Sequence, residues 1–263
     1  MLHRALSLLL VLAGLCPTVA DSYEVADTVE SSTGTLPLIL TVPHDGGDFL
    51  GLTPARTKGA VVRDAGTRQL AERVASLLEQ RLGRRPYLVI AKFSRKYADV
   101  NRTEADAIES EEALPAYREY HSRVADHVRQ VRIAFPAGAL LVDVHGQSDA
   151  PGTTFRGTRA GLTAKALVAR FGPSAIQGDK SVIGVLASKG YAVHPSPGTD
   201  SLREDSRFTG GYTVFTYGSH RPEGIDAIQL EFGRDHRANP GLAEDLADAL
   251  VTFLTQFEFL HKR

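Results

Sequence analysis

Four short runs rich in apolar residues alternate with longer segments of helical periodicity, and this alternation constrains the fold more than any other feature. The runs span residues 36–42, 87–91, 139–144 and 225–232. Each has the length of a strand, and in most of them the apolar residues follow one another without a polar alternation, which is typical of strands buried on both faces. Strands that alternate with helices favour an α/β fold in which a mostly parallel sheet is covered by helices on both sides.

The segments between the runs carry apolar residues at helical spacing, as Leu70, Val74 and Leu77 show in the first of them. The predicted helices span residues 64–82, 114–131, 162–171 and 242–260. Polar residues 21–36 are predicted to form a loose lead. In open α/β sheets ligands bind beyond the carboxyl ends of the strands, so polar residues at those ends are the candidates for function.

Length and charge favour one globular domain without a polyanionic partner. A chain of 263 residues, of which 43% are hydrophobic, can bury one sizeable core, and we predict a single domain over residues 21–263. The 30 Lys and Arg residues and 31 Asp and Glu residues nearly cancel. No overall field would therefore attract nucleic acid or an anionic membrane surface, and we expect no nucleic-acid partner.

The first twenty residues have the pattern of a secretory signal peptide. A basic head at residues 1–4 precedes an apolar run at residues 5–15 and small residues before Asp21. The run is shorter than the roughly 18 apolar residues that span a bilayer. We therefore expect cleavage near Ala20, a secreted or periplasmic mature protein, and no stable membrane insertion.

The chain contains one cysteine, Cys16, which lies within this predicted signal peptide. The mature chain then has no disulfide, no thiolate metal ligand and no cysteine nucleophile. Any metal site must be built from histidines and carboxylates.

Two histidines lie at the ends of predicted strands. His44 lies in PHDGGD, where the glycines leave the backbone free to turn, and His145 lies in DVHG with Asp143 on the same side of the strand. Two histidines and one carboxylate, with a position left open for water, form the composition of a catalytic zinc site. The candidate third ligands are Asp64 and Asp48. A histidine after a strand is often only a loop cap, but two in one sheet favour metal ligation.

Glu231 ends the last apolar run, so its carboxylate is expected at the same edge of the sheet. A metal-dependent hydrolase needs a base that takes a proton from water and returns it to the leaving amine, and Glu is suited to both steps. The alternative is a structural ion pair with Arg234 or Arg237.

The segment FSRKYADVNR, residues 93–102, follows the second predicted strand. The planar guanidinium fork matches a carboxylate, so Arg95 and Arg102 are predicted to bind an acidic substrate or an oxyanion. The alternative is a solvated run of charges. Arg156 and the glycine-rich segment 208–213 are expected to line the same pocket.

Taken in order, these motifs resemble the N-formylglutamate amidohydrolase family, one of the zinc hydrolases related to the carboxypeptidases. The matching elements are PHDGG at 43–47, R-x-Y-x-D-x-N-R at 95–102, DVHG at 143–146 and the strand end LE at 230–231. The resemblance implies a three-layer α/β sandwich with a central mixed sheet. It also implies a zinc ion and the hydrolysis of an N-acyl amino acid or a similar amide.

The resemblance further assigns roles to matching residues. It implies His44 and His145 as metal ligands, Glu231 as the late catalytic carboxylate, and Arg102 together with Asn101 as residues that handle the substrate. Asp64 is preferred to Asp48 as the third ligand, because carboxypeptidase-type sites place their acidic ligand close after the first histidine.

Two positions depart from the usual family pattern, since Asp45 and Gln147 stand where serine is common. An exported enzyme also argues for a substrate other than N-formylglutamate itself. The leading hypothesis is a zinc amidohydrolase that acts outside the cell on a small acyl amino acid or peptide-like amide bearing a carboxylate. The alternatives are an exported carboxypeptidase-like peptidase or cell-wall amidase, and a non-catalytic protein that binds a carboxylate or a metal.

Overall fold

A computed structural model describes residues 24–51, 53–198 and 202–260. The predicted signal peptide, residues 1–20, lies outside these ranges. Within them, no helix combines the length and hydropathy that a bilayer span requires.

One mixed sheet forms the centre of the described structure. Its strands are β1 (Val29–Ser32), β2 (Leu38–Val42), β3 (Tyr87–Ala91), β4 (Leu140–Gln147), β5 (Thr154–Gly157), β6 (Val193–His194) and β7 (Asp226–Gly233), in the order β1-β3-β2-β4-β7-β5-β6. Strands β3, β2, β4 and β7 are parallel. Strand β1 pairs antiparallel with β3, β5 pairs antiparallel with β7, and β6 pairs parallel with β5.

Helices cover both faces of the sheet. They are α1 (Thr67–Leu82), α2 (Glu104–Ala107), α3 (Leu114–Ala134), α4 (Lys165–Phe171), α5 (Ser174–Gln177), α6 (Val182–Ser188), α7 (Tyr212–Tyr217), α8 (Arg234–Arg237) and α9 (Leu242–Gln256). Helices α1, α6 and α9 share a core with one face, and α3 and α7 pack on the other. The predicted α/β sandwich with a mostly parallel, mixed central sheet is confirmed.

The face of the sheet that packs on α3 changes from apolar to polar along the strands. Ile39 and Leu141 belong to its core, but the next inward positions are Thr41 on β2 and Asp143 on β4, which pair in register. Asp143 in turn pairs with Gln229 on β7. Because side chains alternate with a period of two, the same face continues as a polar surface at the carboxyl ends of the strands.

Three short strands are not predicted by the sequence. Residues 24–36 contain β1 and a short 3-10 helix, Val25–Thr28, instead of the expected loose lead. Strand β1 lies at the sheet edge and three of its four residues are half-buried, so it lacks the apolar run of a central strand. Strand β5 contains Arg156 and Gly157, and β6 has two residues, so neither has a strand-like composition.

Candidate metal centre and cleft

Three buried side chains converge at the carboxyl edge of the sheet. His44 Nδ1 lies 3.1 Å from His145 Nδ1. Asp64 Oδ2 lies 3.3 Å from His145 Nδ1 and 3.4 Å from His44 Nδ1. Zinc binds such atoms at about 2.0–2.2 Å, which places two corners of a tetrahedron roughly 3.3 Å apart. The three atoms therefore have the spacing of ligands around one tetrahedral ion.

The far nitrogen of each ring donates a hydrogen bond to a second, buried carboxylate. His44 Nε2 lies 2.7 Å from Asp99 Oδ1, and His145 Nε2 lies 2.8 Å from Asp143 Oδ2. Ionised carboxylates only accept, so these contacts assign the proton of each neutral ring to Nε2. Each Nδ1 then presents a lone pair to the other and to Asp64. Three electron-pair donors that face one another fit a cation between them.

The pKa values in the centre also favour positive charge there. Burial raises the pKa of Asp64, but hydrogen bonds with His145 and His44 outweigh burial and hold that pKa well below its ordinary value. Burial lowers the pKa of His145, yet the nearby carboxylates of Asp143 and Glu231 raise it well above its usual range. The two pKa shifts are reciprocal, because the imidazoles stabilise the ionised Asp64 carboxyl and the carboxylates stabilise a positive charge on His145.

Asp45, the residue after His44, holds the turn that carries Asp64. Asp64 lies before α1 rather than in its first turn, and its amide donates to the His44 carbonyl at 3.1 Å. The buried Asp45 carboxylate accepts from the Arg68 amide at 2.7 Å and from Arg63 Nε at 2.5 Å. Asp45, which departs from the usual family pattern, thus fixes the turn that carries the third donor.

Asp48, the alternative third ligand, lies elsewhere. It is exposed, and its backbone forms an isolated bridge with Phe93. It lines a separate small pocket beside Phe49 and Leu50. The structure therefore brings Asp64, and not Asp48, to the two histidines.

The centre opens into one cleft of about 500 Å³. Its walls include the donors His44, Asp64 and His145, the carboxylate Glu231, and the predicted substrate residues Arg95, Asn101 and Arg102. The glycine-rich segment also lines the cleft, as predicted, through Phe208 to Tyr212. Arg159 and Arg207, which the sequence did not single out, lie in the same wall.

Glu231 lies beside the centre because β4 and β7 pair in register. Residue 231 is the β-ladder partner of His145, and its Oε1 lies 3.9 Å from His145 Nδ1. Gln229 Nε2 donates to the same oxygen at 2.8 Å. Burial raises the pKa of the Glu231 carboxyl, and the nearby imidazole of His145 offsets only part of that shift.

The alternative for Glu231, an ion pair with an arginine of α8, does not occur in the described part of the chain. Arg234 pairs with Asp235 at 3.5 Å. Arg237 donates instead to backbone carbonyls, those of Ala65 at 3.0 Å and Gln147 at 3.2 Å. The carboxylate of Glu231 therefore faces the cleft.

The two arginines of the 93–102 segment differ in their surroundings. Arg95 is buried, and its guanidinium contacts Asp99 at 2.6 Å and Asp64 at 3.5 Å. The Arg102 side chain is 59% exposed, and its Nε is 4.0 Å from Asp99. Arg102 is therefore the one with donors available to a ligand, whereas Arg95 is engaged in holding the two carboxylates.

Asn101 connects the centre to the glycine-rich segment. Its Oδ1 accepts from the Thr213 amide at 2.8 Å, and its Nδ2 lies 3.4 Å from Gln229 Oε1. The Gly211 amide donates to the same Gln229 oxygen at 2.6 Å. A Cβ at Gly211 would lie 2.1 Å from Asn101 Nδ2, so only glycine allows this close approach.

Arg156 does not line the cleft, contrary to the expectation from the sequence. Its side chain is 1% exposed and pairs with Glu204 at 3.1 Å. On β5, Phe155 is the ladder partner of Glu231, so alternation directs the next residue, Arg156, to the opposite face of the sheet. The error arose because β5 itself was not predicted.

Sequence reasoning also passed over Asp99 and Gln229. Asp99 belongs to the R-x-Y-x-D-x-N-R element, and a carboxylate four residues after Arg95 was the available signal. Gln229 lies two residues before Glu231, on the same face of a period-two strand, and that spacing could have identified it.

The sequence matches no protein-family model and no curated protein. The structure is similar to N-formylglutamate amidohydrolase from Ralstonia eutropha JMP134, with a TM-score of 0.57 and 18% identity over 86% of this chain and 97% of that one. It is also similar to the gene product Atu2144 from Agrobacterium tumefaciens, with a TM-score of 0.58 and 16% identity over 90% and 99% of the two chains. At these identities the similarity shows a shared fold, and it confirms the fold that the sequence motifs implied.

Proposed function

We propose that this chain, which has the fold of the N-formylglutamate amidohydrolases, is a secreted or periplasmic, zinc-dependent hydrolase of amide bonds. The substrate class is an N-acyl amino acid or peptide-like amide that carries a carboxylate. The proposal depends above all on one observation: three mutually facing donor atoms and the Glu231 carboxylate meet in a single open cleft. The predicted signal peptide supports the location outside the cytoplasm.

His44, Asp64 and His145 are the residues that would hold zinc. Two imidazole nitrogens and one carboxylate oxygen are a donor set that suits this ion. Zinc bound by them would supply Lewis acidity to an amide carbonyl and to water. Asp99 and Asp143 would keep each imidazole in the tautomer that offers Nδ1 to the ion.

Glu231 is placed to move the proton of the reaction. Gln229 donates to Oε1 and so orients the carboxylate, which would accept a proton from water and then protonate the leaving nitrogen. Its pKa is raised by burial, which suits a group that must both take up and release a proton.

Arg102 is proposed to bind the carboxylate of the substrate. Replacing Arg102 with alanine should reduce kcat/KM about tenfold or more for an acidic substrate and far less for its neutral carboxamide, since one charge-assisted contact is lost. The measurement is kcat/KM on the matched pair. Arg118→Ala, which removes an exposed arginine paired with Glu104, is the control. Equal losses on both substrates would show that Arg102 does not recognise the carboxylate.

Asp99 is proposed to support zinc binding through His44. Asp99→Asn should weaken zinc affinity by about 10- to 100-fold, because an amide at that position no longer fixes the His44 proton on Nε2. Competition with a chelator measures the affinity, and circular dichroism checks the fold. Asp126→Asn, an exposed change on α3, should leave affinity unchanged. An unaltered affinity in Asp99→Asn would contradict this supporting role.

The function as a whole is tested by metal content and hydrolysis measured on the same purified protein. We expect one zinc per chain, and we expect cleavage of N-acyl glutamates or short acidic peptides that chelation removes and added zinc restores. Zinc-loaded protein that cleaves neither class would instead fit a non-catalytic, metal-binding protein. Cleavage of peptides but of no N-acyl amino acid would narrow the substrate class to peptide-like amides, which the alternative of an exported peptidase or cell-wall amidase shares.

A further inference from the structure

A cluster of basic side chains around Phe215 continues outward from the cleft wall. The guanidinium carbon of Arg159 lies 4.2 Å from the centre of the Phe215 ring, and that of Arg221 lies 4.5 Å from it. The His220 ring packs against the same ring, with centroids 5.0 Å apart. We call Arg159, Lys165, Phe215, His220 and Arg221 the basic patch. Arg159 belongs both to the patch and to the lining of the cleft.

The positive charge of the basic patch is not neutralised within the described ranges, where neither Arg159, Lys165 nor Arg221 forms an ion pair. Nearby carboxylates have other partners. Glu204 pairs with Arg156, and Glu223 pairs with Arg132. Arg159, Lys165 and Arg221 are exposed, so an anion in solution can reach this unpaired positive charge.

The pKa of His220 reflects the same concentration of positive charge. Burial lowers its pKa, and the positive charges of Arg221, Arg159 and Lys165 lower it further. Neither ring nitrogen of His220 is accessible to solvent or has a hydrogen-bond partner in the parts of the chain that are described. Polar atoms of this kind normally have a partner, so the patch has unused hydrogen-bonding capacity as well as unused charge.

The backbone fixes the direction of Arg159. Arg159 and Ala160 both have left-handed conformations, with φ of 49° and 54°, which are uncommon for residues other than glycine. Glu204 holds this turn by accepting from the Thr158 amide at 2.7 Å and the Ala160 amide at 3.1 Å. The buried pair of Glu204 with Arg156 thus presents Arg159 at the cleft.

Arg221 is also carried by a hydrogen-bonded turn. Its amide donates to the Gly218 carbonyl at 2.9 Å, and its carbonyl accepts from Gly224 at 3.0 Å. The Ser219 amide donates to the Thr163 carbonyl at 2.9 Å, which ties this turn to the segment after Arg159. The two guanidinium groups are therefore held near one ring by separate, fixed pieces of backbone.

We infer that the basic patch is a subsite for a second carboxylate, on a part of the substrate that extends out of the cleft. Because both guanidinium groups lie over the Phe215 ring, a carboxylate bound beside that ring can accept hydrogen bonds from both planar forks. The inference rests on the proposed function and narrows it. The substrate is then an acidic peptide or peptide-like amide, longer than a single acylated amino acid.

The test uses short peptides that share one cleavable bond and differ in a single outer residue, Glu or Gln, placed at either end. The full-length mature protein should cleave one Glu peptide about tenfold faster, in kcat/KM, than its Gln counterpart. That ratio should fall to about twofold or less in Arg221→Gln and in Arg159→Gln, and Arg221→Glu should reverse it. Arg85→Gln, which removes an exposed arginine paired with Glu79 at the surface, should keep the ratio.

A binding measurement separates this inference from the proposed function. Fluorescently labelled Glu and Gln peptides are titrated against Glu231→Gln, alone and combined with Arg221→Gln or with Arg159→Gln, and anisotropy is recorded. Preferential binding of the Glu peptide that disappears with Arg221→Gln supports the subsite, even if wild-type protein cleaves no peptide and the proposed hydrolysis fails. Equal binding of both peptides, or a preference that survives both arginine changes, overturns the subsite whatever the hydrolytic result.

Discussion

Replacing His145 with glutamine should abolish zinc binding and amide hydrolysis together. His145 Nδ1 lies 3.1 Å from His44 Nδ1 and 3.3 Å from Asp64 Oδ2, so its loss removes one of three donors. The loss in zinc affinity should exceed the roughly 100-fold that changes in supporting residues can cause. Equilibrium dialysis with zinc and hydrolysis of the best substrate give the two measurements.

Glutamine is chosen instead of alanine so that a loss of zinc binding can be distinguished from a loss of the fold. His145 is buried and donates to Asp143, so alanine would leave a cavity and a buried carboxylate without its partner, and the protein could unfold for that reason. A glutamine amide can still donate to Asp143. His236→Gln, which changes a half-buried histidine beside Thr154, is the matched control. Stoichiometric zinc in folded His145→Gln protein would refute the metal centre.

Replacing Glu231 with glutamine should have the opposite combination of effects, retained zinc and lost turnover. Glu231 Oε1 is 3.9 Å from His145 Nδ1, too far to share its hydrogen bonds but close enough to act on a water or amide in the cleft. General acid–base catalysis contributes about 10²- to 10⁴-fold, so kcat should fall by that factor while KM changes little. Zinc content and steady-state kinetics are measured on the same preparation.

Two outcomes would contradict this role for Glu231. Full activity in Glu231→Gln would mean that another group moves the proton, and loss of zinc would mean that Glu231 is a ligand. Glu231→Asp, which keeps the carboxylate but shortens its reach by one methylene, should retain more activity than the amide. That order separates proton transfer from simple packing at this buried position.

The central part of the fold could be predicted because strands that are buried on both faces are rich in apolar residues. Strands β2 and β3 are apolar at nearly every position for that reason, β4 and β7 are apolar at many positions, and all four appear within a few residues of their predicted limits. Strand β1 could not be predicted, since an edge strand is paired on one side only and carries polar residues. Its partner, β3, lies almost sixty residues later in the chain.

The convergence of His44, His145 and Glu231 could be anticipated from the rule that strand ends meet at one edge, and the choice of Asp64 came from the family resemblance. The contacts that support them could not, because they depend on pairings between distant residues. Asp99 reaches His44 across 55 positions, and Asn101 reaches Gln229 across 128. For Arg156 the sequence lacked the register of β5, which alone decides the face on which that side chain lies.

The ladder between β4 and β7 has a consequence for how such a scaffold can diversify. Eight residue pairs, from Leu140 with Asp226 to Gln147 with Gly233, fix the separation of His145, the proposed ligand, and Glu231, the proposed base, through main-chain bonds. Arg102, Arg159 and Arg207, by contrast, are contributed by separate loops of the rim. Insertions and substitutions in those loops can therefore change which amide is accepted while the reacting groups keep their spacing. Proteins that share this scaffold can then keep one reaction and differ in substrate specificity.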